Sequence, residues 1–400
     1  MRLYSIKQLG LSLVEQMVAL ALGIIVVAGI TQLYVDISRS NEEMAKTNSQ
    51  VENARFAMQF LRTDLAHSGY WGRYVPEFDD ISLTTVPIDV PTVIPRPCLA
   101  YASWGTPAAN GGVTLQQYLN SVTGIPLEVY DDVPAACDAL LPAQQPNTDV
   151  VIVRHASKCL PGATNCEADI AGKLYFKSSN CELQRAVGIN FALDPNSSSV
   201  MYQRDCIGVA GSPPTISSGT AELKRKFNQH IYYVRTYAIT PGDGIPTLMR
   251  SEFDLSGGSV VQVAAVPLVE GIERFRVELG LDLLGDGQFE TPPVPINYSQ
   301  GVNWKVPLNR ADPLNRGDGL PESPYVHCGS ACTLSQLINA VVVKVHLIAR
   351  AGEPSPGYND SKTYRMGLAT GITFTDKTYK RHAFSSTVRI GNNSARRETP

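Results

Sequence analysis

The sequence predicts an α+β fold: a long N-terminal α-helix packed on an antiparallel β-sheet domain with disulfide-pinned insertions. Three observations carry this. Residues 11–35, LSLVEQMVALALGIIVVAGITQLYV, form an apolar run whose single charge is Glu15. The chain from Thr31 to Ser68 then holds neither Pro nor Gly and repeats Val51, Ala54, Met58, Leu61 and Leu65 at three- and four-residue spacing, the mark of one apolar helical face. Beyond it, segments alternating or rich in β-branched and aromatic residues are separated by Gly and Pro, of which the 400-residue chain has 32 and 27.

The apolar run comes first. At about 1.5 Å per residue its 25 residues reach roughly 37 Å, enough to cross a hydrocarbon core of about 30 Å. A secretory leader has a shorter apolar stretch and a small-residue cleavage site after it, and neither is found here. Arg2 and Lys7 precede the run while Asp36, Glu42 and Glu43 follow, so charge bias keeps residues 1–10 in the cytoplasm and sends the remainder across the membrane. With Gly69 as the stop, residues 11–67 read as one helix, membrane-spanning over 11–35 and amphipathic over 36–67.

Strands are expected at 148–156, 229–239, 247–255, 271–283, 339–350 and 382–391, in one central antiparallel sheet without a sharp second domain. The second and third join across PGDGIP (241–246), a hairpin signal. Residues 76–97 are Pro-rich and irregular, and long insertions occupy 156–228 and 284–337. The eight cysteines, Cys98, Cys137, Cys159, Cys166, Cys181, Cys206, Cys328 and Cys332, all follow the membrane segment and favour disulfides outside the cytoplasm. Of about 105 possible connectivities, pairing in chain order is the expectation: 98–137, 159–166, 181–206 and 328–332.

Chemistry-bearing motifs are sparse. HCGSAC (327–332) has the outline of a thiol-protease surround with an Ala inserted, and His327, Cys328 and Cys332 offer three zinc-type ligands, but a disulfide is the expected fate of the two thiols. Asp282, Asp286 and Glu290 could ligate calcium, the simpler reading being a polar turn. Asp312 and Asp318 lie in a second acidic loop that contains the tripeptide Arg316-Gly317-Asp318. The six histidines are scattered, and no Walker loop, G-x-S-x-G elbow or H-E-x-x-H helix occurs. No enzymatic activity and no cofactor are therefore expected. A formal net charge of -3, with no basic run longer than a pair, gives no phosphate-tracking surface, so nucleic acid is not an expected partner.

Glu15 is the odd member of the apolar run, since a carboxylate in a bilayer costs on the order of 2–3 kcal/mol. It stands one turn from the helix start and could lean toward the headgroups. A second reading comes from its spacing to Gly10: KQLG followed by LSLVE resembles the class III signal of type IV pilins and pseudopilins. That resemblance implies cleavage after Gly10 by a prepilin peptidase, Leu11 as the N-methylated mature N-terminus, and Glu15 as the carboxylate that meets a neighbouring subunit's new amine during assembly. It divides the chain into a leader (1–10), the two helical halves (11–35 and 36–67) and a β-rich periplasmic or extracellular pilin domain (68–400).

RTDLAHSGYWG (62–72), NQHIYYVRTYA with GIPTLMR (228–250), PLVEGIERFRVELGLD (267–282) and RHAFSSTVRIGN (381–392) resemble the PilW family of type IV pilus assembly proteins. The resemblance implies a minor pilin that primes assembly and sits in the tip complex, serving a fimbrium of the kind used in twitching motility. Its partners would be other minor pilins, the major pilin and a tip adhesin. A J-type pseudopilin of a type II secretion system is the alternative, sharing signal, helix and much of the strand pattern.

Overall fold

The computed structural model describes residues 12–195, 199–285, 294–304, 315–329 and 331–398. Helix α1 (Leu13–His67) is continuous for 55 residues, about 80 Å at about 1.5 Å per residue. Ser12 caps it, its Oγ accepting the Glu15 N–H at 3.3 Å. The helix stops where Gly69 takes a positive φ of 73° and its N–H donates to the Arg154 carbonyl, turning the chain onto a sheet.

The two halves of α1 live in different surroundings. From Leu13 to Val35 every side chain is exposed, whereas Ala54, Ala57, Met58, Leu61 and Leu65 are buried against the body. The alanines let the helix approach closely; Val51, expected on the same stripe, is only half-buried at its edge. Contact with the body begins at Glu43, whose carboxylate accepts from Lys380 Nζ and Ser355 Oγ at 2.6 Å each. About two turns later Gln50 Nε2 donates to the Ala349 carbonyl at 2.6 Å.

The body departs from the expected single sheet: it has two main antiparallel sheets. The larger has eight strands, namely β1 (Leu127–Tyr130), β2 (Val150–Ala156), β3 (Tyr175–Ser178), β4 (Phe191–Asp194), β5 (Arg225–Arg235), β6 (Thr247–Ser256), β7 (Ser259–Gln262) and β8 (Val266–Glu270). β5 is its axis, pairing with β2, β3 and β6, and the β5–β6 pair is the hairpin predicted across 241–246. The smaller sheet has the order β10-β9-β11-β12, with β9 (Ile272–Leu281), β10 (Glu322–Val326), β11 (Ala340–Arg350) and β12 (Arg381–Arg389).

The division occurs at Gly271, which separates β8 from β9 within PLVEGIERF. Its φ is +79°, and a Cβ there would stand 2.8 Å from the Arg350 carbonyl oxygen. Only glycine fits this corner, and the chain passes through it from one sheet to the other. Asp149, just before β2, ties the sheets together: its N–H donates to the Phe275 carbonyl and its carboxylate accepts from the Val277 N–H at 2.7 Å.

One core nevertheless spans both sheets. Val151, Val153, Tyr232 and Leu248 of the larger sheet and Phe275, Val277, Val345 and Leu347 of the smaller one pack together with the buried face of α1. The opposite face of the larger sheet carries Ile152, Ile231, Tyr233 and Met249, covered by the segment that Cys98–Cys137 pins. An aromatic core of Trp71, Trp104, Phe176, Phe227 and Phe253 lies beneath helix α2 (Leu115–Gly124), where Trp71 Nε1 donates to the Thr123 carbonyl. The four disulfides join Cys98–Cys137, Cys159–Cys166, Cys181–Cys206 and Cys328–Cys332, in chain order.

Candidate assembly surface

The first half of α1 carries a continuous run of exposed large apolar side chains. Leu20, Ile24 and Val27 are 68%, 69% and 63% exposed, and the run continues to Ile30 and Leu33. A soluble monomer rarely leaves an apolar patch larger than a few hundred Å² uncovered, so this face calls for lipid or a neighbouring helix. Among the described residues this is also the one helix long and apolar enough to cross a membrane. Gly10 and Leu11 lie outside the described residues. Glu15 is exposed in the first turn, near the positive end of the helix dipole, and no ion pair among the described residues engages its carboxylate.

At the far end of the helix, α3 (Gly391–Arg397) latches the body. Arg397 is 2% exposed; its Nε donates to Asp79 at 2.6 Å, its Nη1 to Asn339 at 3.0 Å and its Nη2 to the Ile338 carbonyl at 2.8 Å. The same Nη1 lies 3.4 Å from Asp282. Arg396 reaches the Gly69 carbonyl at the end of α1.

This latch removes the first calcium candidate: Asp282 is fully buried, accepts from the Gly319 N–H and faces a guanidinium. Asp286 and Glu290 lie outside the described residues, as does Asp312. Arg316 of the Arg-Gly-Asp tripeptide is buried at 3% exposure and donates to the carbonyls of Asn297, Gln300 and Asn315, so it is not displayed for adhesion. Asp318 is half-buried and accepts from the Leu320 N–H within its own turn. Cys328 and Cys332 are joined, which leaves neither a thiolate nucleophile nor two zinc thiolates, and His327 Nε2 sits 3.1 Å from the Asp149 carboxylate.

Burial pushes the Asp282 carboxyl up to about 7, with Arg397 pulling the other way. Because this lies above its ordinary value of 3.8, the folded chain holds a proton that the unfolded chain has released, and that stability is lost as pH rises through about 7. Urea unfolding at pH 5 and pH 8 will show the consequence: Asp282→Asn flattens the pH dependence by about 2 kcal/mol relative to the native chain.

The histidines are less scattered than the sequence suggests. His155 of β2 and His230 of β5 both meet Asp64 in the last turn of α1, and the His67 ring lies 5.9 Å from that of His155. Burial raises the Asp64 carboxyl, but the adjacent His230 and His155 outweigh it and hold it well below the carboxylate range. Sequence reading missed this cluster because its members lie on three elements far apart in the chain. The one available signal was the place of His155 and His230 on the same side of two alternating strands.

Residues 231–392 match the family model described as type IV pilus-assembly protein W, from within β5 to the start of α3. No curated protein matches the chain. Among solved structures, the type IV-like pilin TTHA1219 from Thermus thermophilus is similar at 11% identity, covering 67% of this chain and 82% of that one, with a TM-score of 0.27.

Proposed function

The chain is PilW-like from Ile231 to Asn392, and from that premise we propose that it is a minor pilin that primes type IV pilus assembly and then sits in the tip complex. The observation that carries this reading is the division of α1: a bare apolar half of membrane-crossing length, continuous with a half cemented to a disulfide-bonded body. In this reading residues 1–10 are the leader, a prepilin peptidase cuts after Gly10, and Leu11 becomes the methylated N-terminus. Residues 11–35 hold the precursor in the inner membrane with the domain 68–400 in the periplasm, and later line the fibre. The second half of the helix, 36–67, carries the body, although its contacts start only at Glu43.

Glu15 is the assembly contact. A new α-amino group in an apolar phase and a carboxylate in the same phase are each costly alone and offset one another when they meet between subunits. The partners are other minor pilins, the major pilin and a tip adhesin. Glu15→Val is expected to spare cleavage and to lower the amount of chain in sheared pili at least tenfold, read by immunoblot of pilus and membrane fractions. Normal incorporation of that variant would overturn the assignment. A gene deletion that leaves pili intact and blocks exoprotein export would instead place the chain with the J-type pseudopilins.

A further inference from the structure

Where α1 ends against the larger sheet, three metal-ligating side chains converge. In the β2–β5 register His230 is opposite Val153, and His155 lies two residues further along β2, so both imidazoles project from one face toward the helix. Asp64 Oδ1 is 3.0 Å from His155 Nε2, and Asp64 Oδ2 is 2.8 Å from His230 Nδ1. Tyr232 Oη donates to the same Oδ2 at 2.8 Å. The ligating atoms all lie within 4.8 Å of one another.

Two features ask for more positive charge than neutral side chains supply. His155 faces an acceptor at each ring nitrogen, the Ala156 carbonyl oxygen 3.0 Å from Nδ1 and the Asp64 carboxylate at Nε2. A neutral imidazole has one N–H, so one of these contacts sets a lone pair against an oxygen. Asp64, for its part, occupies the last turn of a helix, where the negative end of the dipole disfavours a carboxylate, and it is only 9% exposed. A cation among the three resolves both. His155 then keeps Nδ1–H for the Ala156 carbonyl and turns the Nε2 lone pair to the metal, while Tyr232 orients the carboxylate; this is the usual outer-shell arrangement of metal-bound histidine.

We propose that Asp64, His155 and His230 bind one divalent transition-metal ion of the zinc class, with a fourth position open to water. Two imidazoles and one carboxylate suit such an ion and not calcium, which takes six to eight oxygens. Tetrahedral bonds of about 2.0–2.1 Å place ligands roughly 3.3 Å apart, so the Asp64–His155 and Asp64–His230 pairs, at 3.0 and 2.8 Å, need to open by a few tenths of an ångström, and any pair as wide as the 4.8 Å bound on the cluster needs to close by a side-chain rotation. Side-chain exposures of 10% for His155, 11% for Asp64 and 15% for His230 leave an entry path. Bound metal would clamp the end of α1 to β2 and β5 across chain separations of 91 and 166 residues.

The test is titration of the full-length chain, in detergent and pre-treated with chelator, with Zn²⁺ by calorimetry and with Co²⁺ by visible absorption. One equivalent is expected to bind with micromolar or tighter affinity, with the d–d bands of tetrahedral Co²⁺ and a higher melting temperature. His155→Gln and His230→Gln should each weaken binding at least tenfold with near-UV circular dichroism unchanged. No saturable uptake by the folded native chain would overturn the proposal, a proton then supplying the charge. Undiminished binding in the double variant would overturn it equally.

Discussion

Gly10→Glu is expected to leave a precursor about ten residues heavier than the mature chain of the proposed reading, confined to the membrane fraction and missing from sheared pili. In the proposed reading the peptidase cuts after Gly10, and a carboxylate side chain would crowd and charge a position that now carries none. No change in the body is expected, because residues 12–42 of the described chain are all exposed. Two measurements check this: electrophoretic mobility with and without the peptidase, and a melting temperature equal to that of the native precursor. Normal maturation of the variant would remove the basis for reading residues 1–10 as a leader. A lowered melting temperature would show that the leader region contacts the body.

Arg397→Ala acts at the other end of the chain and through stability alone. It leaves Asp282, 0% exposed, without the guanidinium that faces it, and Asp79, 3% exposed, with Arg396 alone at 3.5 Å. Breaking a buried pair by deleting one partner costs about 3–5 kcal/mol, and the carbonyl of Ile338 loses its donor as well. Urea unfolding at neutral pH should show a loss of that size, and a smaller one at pH 5, where Asp282 is protonated in the folded chain. Arg397→Lys is expected to recover only part of it, since one ammonium cannot span Asp79, Asn339 and the Ile338 carbonyl at once. A loss independent of pH would separate Asp282 from the latch.

What the sequence made legible is local. The long helix follows from an uninterrupted apolar run and a 3.6-residue stripe, and Leu61 and Leu65 are on the buried face that this stripe predicts. The β5–β6 hairpin follows from Pro and Gly between two alternating segments. The division into two sheets was hidden because it depends on a single left-handed residue: Gly271 inside PLVEGIERF reads as part of a strand, and only the close approach of the Arg350 carbonyl shows it to be a corner. The burial of Arg316 was not legible, because a sequence does not say which carbonyls will wrap a guanidinium. The meeting of Asp64 with His155 and His230 was hidden for the same reason, as a register between β2 and β5 places it.

The disulfides bear on how such a chain can be made. Each joins a cysteine to the next one along the chain, at sequence separations of 39, 7, 25 and 4, so no bridge encloses or crosses another. Were such a chain delivered N-terminus first into an oxidising compartment, each bond would be able to close as its second thiol emerged, before the following pair arrived. In that order of emergence, the native partner is also the first one available.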